Sequence, residues 1–362
     1  MKRVLLTGGG GAIGVHVIAH ILHNTDWDIV VLDSFRHKGY KDRITKVCED
    51  HADWPQRITI LQHDLVCSIS KELTKEIGNV DYILHLAALS DVFFSVENPV
   101  YVIKNNIEST LTMLEYAKHT PHEAFVYFST DEVYGPVAKT WQKCKEITCP
   151  DDAKFLEERD HFHQYTDAHA EWSAHRPSNA YAASKAASED ICYPYWRSGE
   201  VKLIITNTMN NFGEMQAPSK FPAMIQKQLE NNETITVHGN EKEIGTRYYI
   251  HSRNAADALL FILNNLPPHL HQEGELDDPD KYHIVGDEQL SNLELVQRIA
   301  KLMNKTPKYE LKDFHKDNPA HDIHYGLQDN KLRKVGWKQP RNFDKSMEEV
   351  IEWQQKNKEW LK

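Results

Sequence analysis

Three groups of residues in this chain could do chemistry: Tyr181 with Lys185, Asp131 with Glu132, and a glycine-rich loop at the start. Tyr181-Ala182-Ala183-Ser184-Lys185 places a phenol and an ammonium four residues apart, a spacing that shares one face of a helix. A positive charge beside a phenol favours the phenolate. Moving a tyrosine pKa from ~10 toward 7 takes about 4 kcal/mol of differential stabilisation. Such a pair reads as a phenol poised to ionise near neutral pH. The run Thr130-Asp131-Glu132 offers a hydroxyl and two carboxylates at the end of an apolar stretch. Neighbours on a strand point to opposite faces, but at a strand-to-loop bend both carboxyls can converge on one ligand. Two carboxyls in different environments divide into acid and base, because the charge of one raises the pKa of the other.

The third group is Gly8-Gly9-Gly10-Gly11-Ala12-Ile13-Gly14, which follows the apolar run Arg3–Thr7 and opens a helical pattern. Glycine lets the backbone turn tightly and approach a pyrophosphate, whose charge the helix N-terminus then favours. The next apolar run ends at Asp33, about 20 residues on, where a carboxylate accepts from both ribose hydroxyls and repels a 2′-phosphate. The cofactor expected is NAD rather than NADP, with Arg36 nearby as the residue that argues the other way.

These residues need a scaffold. Strands are expected at Arg3–Thr7, Asp28–Leu32, Ile58–Leu61, Asp81–Leu86, Ala124–Ser129 and Val201–Thr206, alternating with helices that include Ala12–His23, Pro99–Lys118 and Ala180–Trp196. Short apolar strands separated by helices predict an α/β fold with a doubly wound parallel sheet, whose ligands bind beyond the carboxyl ends of the strands. The sequence reads as a Rossmann domain over 1–207, with an insertion at 136–178. A smaller mixed region follows over 208–362, and segments such as 235–265 are expected to return to the Rossmann body. In that second region strands are expected at Thr234–Val237 and Tyr282–Val285, and helices at Ser252–Leu263, Asn292–Met303 and Asp344–Lys358.

Composition narrows the class further. With 42 Lys and Arg against 53 Asp and Glu, the net charge is −11 and no basic run marks a nucleic-acid surface. No apolar stretch approaches the roughly 18 residues of a membrane span. The basic and apolar start, Met1–Thr7, is too short in its apolar part for a signal peptide. Five scattered cysteines, an odd number, predict free thiols and a cytoplasmic protein. His161, His163, His169 and His175 crowd the insertion, but without tight ligand spacing the expectation is no metal.

The spacing of Gly8, Gly11 and Gly14, with Asp64-Leu65, the run His85-Leu86-Ala87-Ala88 and the Tyr181/Lys185 pair, resembles the extended short-chain dehydrogenase/reductase family. Within it, Ser129-Thr130-Asp131-Glu132-Val133-Tyr134-Gly135 is similar to the motif of the dTDP-glucose 4,6-dehydratases. The resemblance implies that Asp64, Leu65, Leu86, Ala87 and Ala88 help to hold NAD. It implies that Asn210, Asn211, Lys220 and Arg247 hold the substrate's diphosphate and nucleotide, with Ser90 near the sugar and Glu288 near the base. It further implies oxidation at C4 of a nucleotide-diphosphate hexose, loss of water across C5 and C6, and return of hydride to C6. A homodimer through Pro99–Lys118 and Ala180–Trp196 is expected, drawing on Val102, Leu111, Met113, Leu114 and Tyr195.

The chain departs from the family pattern at Leu89-Ser90-Asp91-Val92-Phe93-Phe94-Ser95, so the hexose stays open, and Glu288 leaves the base open. A 4-epimerase would share the fold, Tyr181, Lys185 and NAD without needing an Asp-Glu pair. A decarboxylase acting on UDP-glucuronate would need an Arg for the carboxylate. A catalytically silent NAD-sensing regulator would not need the reacting set at all.

Overall fold

Strand Arg3–Thr7 (β1) is apolar and fully buried from Val4 to Leu6, as is Ile29–Leu32 within Asp28–Asp33 (β2). Such runs belong in a parallel sheet covered on both faces. The computed structural model describes residues 1–37, 40–137, 168–240, 242–271, 277–313 and 322–361. His161, His163, Cys144, Cys149 and His321 lie outside the described residues.

Ile58–Gln62 (β3), Tyr82–His85 (β4), Ala124–Thr130 (β5), Leu203–Thr208 (β6) and, after Asn210–Phe212 (β7), Thr234–His238 (β8) and Thr246–His251 (β9), Asp280–Ile284 (β10) complete the longer strands. The central sheet has seven strands in the order β10-β6-β5-β4-β1-β2-β3, and its pairings β3–β2, β2–β1, β1–β4 and β4–β5 are parallel. This is the doubly wound α/β fold that the alternation predicts. β3 forms one edge, which explains why Ile60 is exposed while the central strands are not. The expected strands at Asp81–Leu86 and Val201–Thr206 are found as Tyr82–His85 and Leu203–Thr208.

The chain divides into two compact units. The first takes Met1–Thr130, Asn179–Asn207 and Ser252–Tyr282. Its core joins Leu5, Val30, Leu32 and Ile83 of the sheet to Met113, Leu114 and Trp196 of the helices Pro99–Lys118 and Ala180–Arg197. Those two helices pack along one another. The second unit takes Asp131–Ser178, Thr208–His251 and His283–Lys362. It holds a three-stranded sheet, Gln289–Ser291 (β11) with β9 and β7, and the parallel pair Lys308–Lys312 (β12) with β8. Phe212, Ile235, Tyr249, Val296, Phe343 and Met347 form its core. The segment that belongs with the first unit is Ser252–Tyr282, whereas β8 and β9 stay with the second, because β9 is hydrogen-bonded to β7 and β11.

One expectation needs correction. Val102, Met113 and Leu114 are fully buried in the chain's own core, because Pro99–Lys118 and Ala180–Arg197 spend their apolar faces on each other and on the sheet. Of the five residues expected at a dimer face, Leu111 is exposed and Tyr195 is half-buried. The apolar surface near this helix pair comes instead from Phe93, Phe94, Val96, Val100 and Tyr101, together with Leu111. No helix among the described residues is long and apolar enough to cross a membrane. Cys48, Cys67 and Cys192 are free thiols.

Candidate active site

In the first unit, β1 runs into the glycine loop and the helix Ala12–Asn24. Gly8 has φ +72°, and a Cβ there would come within 2.9 Å of the Ala87 backbone. A Cβ on Gly14 would lie 2.3 Å from the Gly8 carbonyl, so the helix can start against the loop only where no side chain intervenes. Asp33, buried at the end of β2, accepts from Gly10 N–H at 3.0 Å and Phe35 N–H at 2.9 Å, fixing its carboxylate beside the loop. The cradle without side chains, the open helix N-terminus and this carboxylate fit the diphosphate and ribose of NAD.

Arg36 is engaged by the protein itself. Its guanidinium donates to Asp64 at 2.6 Å, Tyr101 at 2.7 Å and Asn105 at 3.0 Å. Asp64 thereby sits beside Asp33's loop, and Leu65 joins the core. Gly11 caps the helix that starts at Ala12-Ile13.

Beyond β4, the loop of Leu86, Ala87 and Ala88 is fixed by hydrogen bonds. Ala87 N–H donates to the Thr7 hydroxyl at 3.2 Å, and that hydroxyl lies 2.8 Å from His85 Nδ1. His85 Nε2 faces Thr110 at 3.2 Å, and the Thr110 hydroxyl itself donates to the Asn106 carbonyl. Nε2 is therefore the donor and the imidazole is neutral. Burial, with the charge of Lys185 added, pushes its pKa down to about 3. Asn106 accepts from Leu89 N–H and donates to the Leu89 carbonyl and to Ser184 Oγ, tying this loop to the helix of Tyr181. Sequence reasoning missed Asn106. The signal was there, since an Asn pair inside an otherwise good helix is unfavourable unless it bonds something.

Asn179 caps Ala180–Arg197 through a 2.8 Å bond from Ala182 N–H, which sets Tyr181 in the first turn. Tyr181 and Lys185 are both buried. Lys185 Nζ donates to the Phe128 carbonyl at 2.7 Å and sits 4.2 Å over the Tyr127 ring. Burial pulls its pKa down to about 7, opposed by the negative charge of Glu189. Thr130 ends β5 in the same unit, its carbonyl held by Asn207 Nδ2 at 3.0 Å. Ser90 is exposed in the loop after β4.

In the second unit, Asp131–Tyr134 is a single turn of 3₁₀ helix. This is the bend that lets consecutive carboxylates share a region. Asp131, Glu132, Asp322 and Arg247 all act on the buried Tyr325, whose hydroxyl is driven well above its ordinary pKa, first by burial and then by Glu132. Arg247 lies 4.4 Å over the Tyr325 ring and donates to the carbonyls of Ile323 and Asp322. Behind the turn, Tyr134 Oη is 2.9 Å from His283 Nε2 and stacks on His169, whose pKa burial pulls down to about 4.

Asn210 and Asn211 form β7. Asn211 Nδ2 donates to Met209 O, and its buried Oδ1 has no partner among the described residues. Lys220 precedes the helix Phe221–Glu230. Both Glu288 oxygens are taken by Arg298, at 2.5 and 2.9 Å. The structure thus gathers Gly8–Gly14, Asp33, Asp64, Thr130, Tyr181 and Lys185 in one unit, and Asp131, Glu132 and Arg247 in the other.

Residues 4–273 match the family described as NAD dependent epimerase/dehydratase. The dTDP-glucose 4,6-dehydratase of Salmonella typhimurium is 28% identical over 377 residues, spanning 99% of this chain and 94% of the relative. That of Mus musculus is 27% identical, spanning 98% and 89%. Among solved structures, the dTDP-glucose 4,6-dehydratase of Streptomyces venezuelae with NAD bound superposes with TM-score 0.79 at 24% identity, covering 99% of this chain and 98% of that one. The UDP-glucose 4-epimerase of Thermus thermophilus with NAD gives 0.74 at 22%, covering 97% and 98%. Both share the fold.

Proposed function

The chain belongs to the NAD dependent epimerase/dehydratase family, and on that premise we propose that it is a nucleotide-sugar 4,6-dehydratase. The observation that carries the reading is the unbroken run Thr130-Asp131-Glu132. Its hydroxyl ends the strand of the unit that holds Tyr181 and Lys185, and its two carboxyls open the turn that shares an electrostatic environment with Tyr325 and Arg247. Relatives named dTDP-glucose 4,6-dehydratase, matched over nearly their whole length, make dTDP-glucose the first substrate to try, with UDP-glucose next.

Bound NAD would supply the acceptor for hydride from C4 and its return to C6. Tyr181 takes the proton of the 4-hydroxyl, with Thr130 hydrogen-bonded to the same oxygen and Lys185 favouring the phenolate. The ketone so formed at C4 acidifies C5–H. Glu132 removes that proton while Asp131 protonates the departing 6-hydroxyl, and water leaves. Glu132 then returns a proton to C5, and the cycle closes as Tyr181 releases the 4-hydroxyl proton to solvent and Asp131 regains one from it. Asp33 and the Gly8–Gly14 loop hold the cofactor, and Asn210, Asn211, Lys220 and Arg247 hold the nucleotide diphosphate. Glu288, paired with Arg298 through both oxygens, would meet a base only with the lone pairs that this pair leaves.

The protein is assigned to the cytoplasm on its scattered cysteines, and to a homodimer on the apolar patch around Phe93 and Tyr101. The 4-epimerase reading uses Tyr181 and Lys185 equally well but leaves Asp131 and Glu132 without work. Incubation of the purified protein, without added NAD, with dTDP-, UDP-, CDP- and GDP-hexoses separates the two. Mass loss of one water supports the dehydratase; a 4-epimer of unchanged mass sinks it.

A further inference from the structure

Glu189 follows Lys185 by four residues, as Lys185 follows Tyr181, so all three share one helix face. Glu189 and its partner Asn207 are fully buried, and its partner Lys281 is buried. One Glu189 oxygen lies 2.7 Å from Lys281 Nζ, and the other accepts from Asn207 Nδ2 at 2.7 Å. The same Asn207 amide donates to the Thr130 carbonyl at 3.0 Å. All of these residues lie in the first unit.

A buried ion pair is a poor way to stabilise a fold. Apolar residues of similar volume serve as well or better, while removing one partner is costly. Its presence at this depth therefore needs a reason beyond packing. We propose that Glu189 is a positioning residue for the oxidation chemistry: its carboxylate sets the charge environment of Lys185 one turn back on the same helix face, and through Asn207 it anchors the Thr130 end of β5. The inference rests on the roles given above to Tyr181, Lys185 and Thr130.

The groups facing Lys185 support it. From its own helix come Tyr181, Glu189 and Cys192; from β4, His85; from β5, Tyr127; and from β10, across Glu189, Lys281. His85 is held neutral by burial, and burial raises the pKa of Tyr127 and Cys192, so neither is an anion at neutral pH. Among the described groups acting on Lys185, Glu189 is the carboxylate. The Lys281 ammonium, 2.7 Å from the Glu189 carboxyl, is the opposite charge that favours its ionised form at this depth.

Glu189→Gln tests this, since it keeps an acceptor for Asn207 and removes the charge. In the protein as purified, the ¹³Cε signal of Lys185, assigned with Lys185→Met, should titrate roughly one pH unit lower than in wild type. The alkaline limb of the oxidation step with dTDP-glucose should move in the same direction. An unmoved Lys185 midpoint overturns the proposal. Because Glu189→Gln strands Lys281, the double variant Glu189→Gln/Lys281→Met removes both charges and should regain the wild-type unfolding midpoint. If Lys185 titration and turnover return with stability, Glu189 is merely structural and the proposal fails. If they stay shifted in a stable protein, it stands. The spectroscopic arm uses no substrate, so a wild type that oxidises no nucleotide hexose would defeat the functional reading while the Glu189 result still decides this one.

Discussion

In the first unit, the groups that fit NAD come from one strand–helix–strand run, with Gly8 and Gly14 in close backbone contact and Asp33 held to the loop by the Gly10 and Phe35 N–H groups. In the second, Glu132, Arg247, Asp322 and Tyr325 meet from three separate stretches of chain. The first arrangement is dictated locally by backbone sterics. The second depends on β9 pairing with β7 and β11, and on the Thr246–His324 bridge that brings the late segment in. Local geometry tolerates little sequence change, whereas a site assembled from distant pieces can change its ligand by changing one piece. That contrast fits a family in which the cofactor is shared and the substrate varies.

The comparison is sharpest at the two proposed bases, one in each unit. Tyr181→Phe should abolish oxidation at C4, and Glu132→Gln should stop the reaction after it; removal of a general base costs about 10²- to 10⁴-fold. In rapid mixing with dTDP-glucose, Tyr181→Phe should show no absorbance of reduced nicotinamide, while Glu132→Gln should accumulate it with little loss of water. Equal behaviour of the two variants would erase the division of labour.

The cofactor cradle should break more simply. Gly14→Ala brings a methyl to 2.3 Å from the Gly8 carbonyl, and Asp33→Ala removes the ribose acceptor. Both variants should lose NAD on purification, measured by releasing the nucleotide with denaturant. Arg298→Ala in the second unit should leave NAD content unchanged. Loss of NAD there would mean that the two units do not divide the ligands as described.

A buried neutral histidine in each unit predicts the acid response. His85 is depressed to about 3 and His169 to about 4 from an ordinary 6.5. Each is less protonated folded than unfolded, so each contributes stability that is full above about 6.5 and is lost as pH falls toward its folded pKa. His85→Asn and His169→Asn should each flatten the fall of the unfolding midpoint between pH 6.5 and 4. The contribution is on the order of a few kcal/mol. An unchanged slope in either variant would show that its imidazole is not desolvated.

The smallest effect is at the surface. The protein should be a dimer by light scattering, and Val100→Glu with Leu111→Glu should give a monomer without loss of bound NAD. A monomeric wild type at micromolar concentration removes the dimer.

The sequence by itself placed β1 to β6 and the helices Ala12–Asn24, Pro99–Lys118 and Ala180–Arg197 to within about two residues at their ends, because strand alternation, Pro99 and the glycine spacing are local signals. It did not name the shorter helices Tyr40–Cys48, Lys71–Ile77 and Val92–Glu97, and it set the 136–178 insertion in the first domain, whereas the second unit takes Asp131–Ser178. It also singled out Tyr181, Lys185, Thr130, Asp131 and Glu132 as the reacting groups that we propose, since spacing along one helix face and along one strand end is a property of the chain. It was silent on β7 and β12, whose short or fully exposed runs carry no periodicity of their own, and on β9, whose half-buried run is defined by its pairing with β7 and β11. It misjudged Val102, Met113 and Leu114, because an apolar face does not say what covers it, and here the neighbouring helix does. Tertiary structure alone decided that Arg36 is spent on Asp64, Glu288 on Arg298, and Glu189 on Lys281 and Asn207. Each is a charge whose partner lies well away along the chain, and only the folded arrangement brings the two within hydrogen-bonding reach.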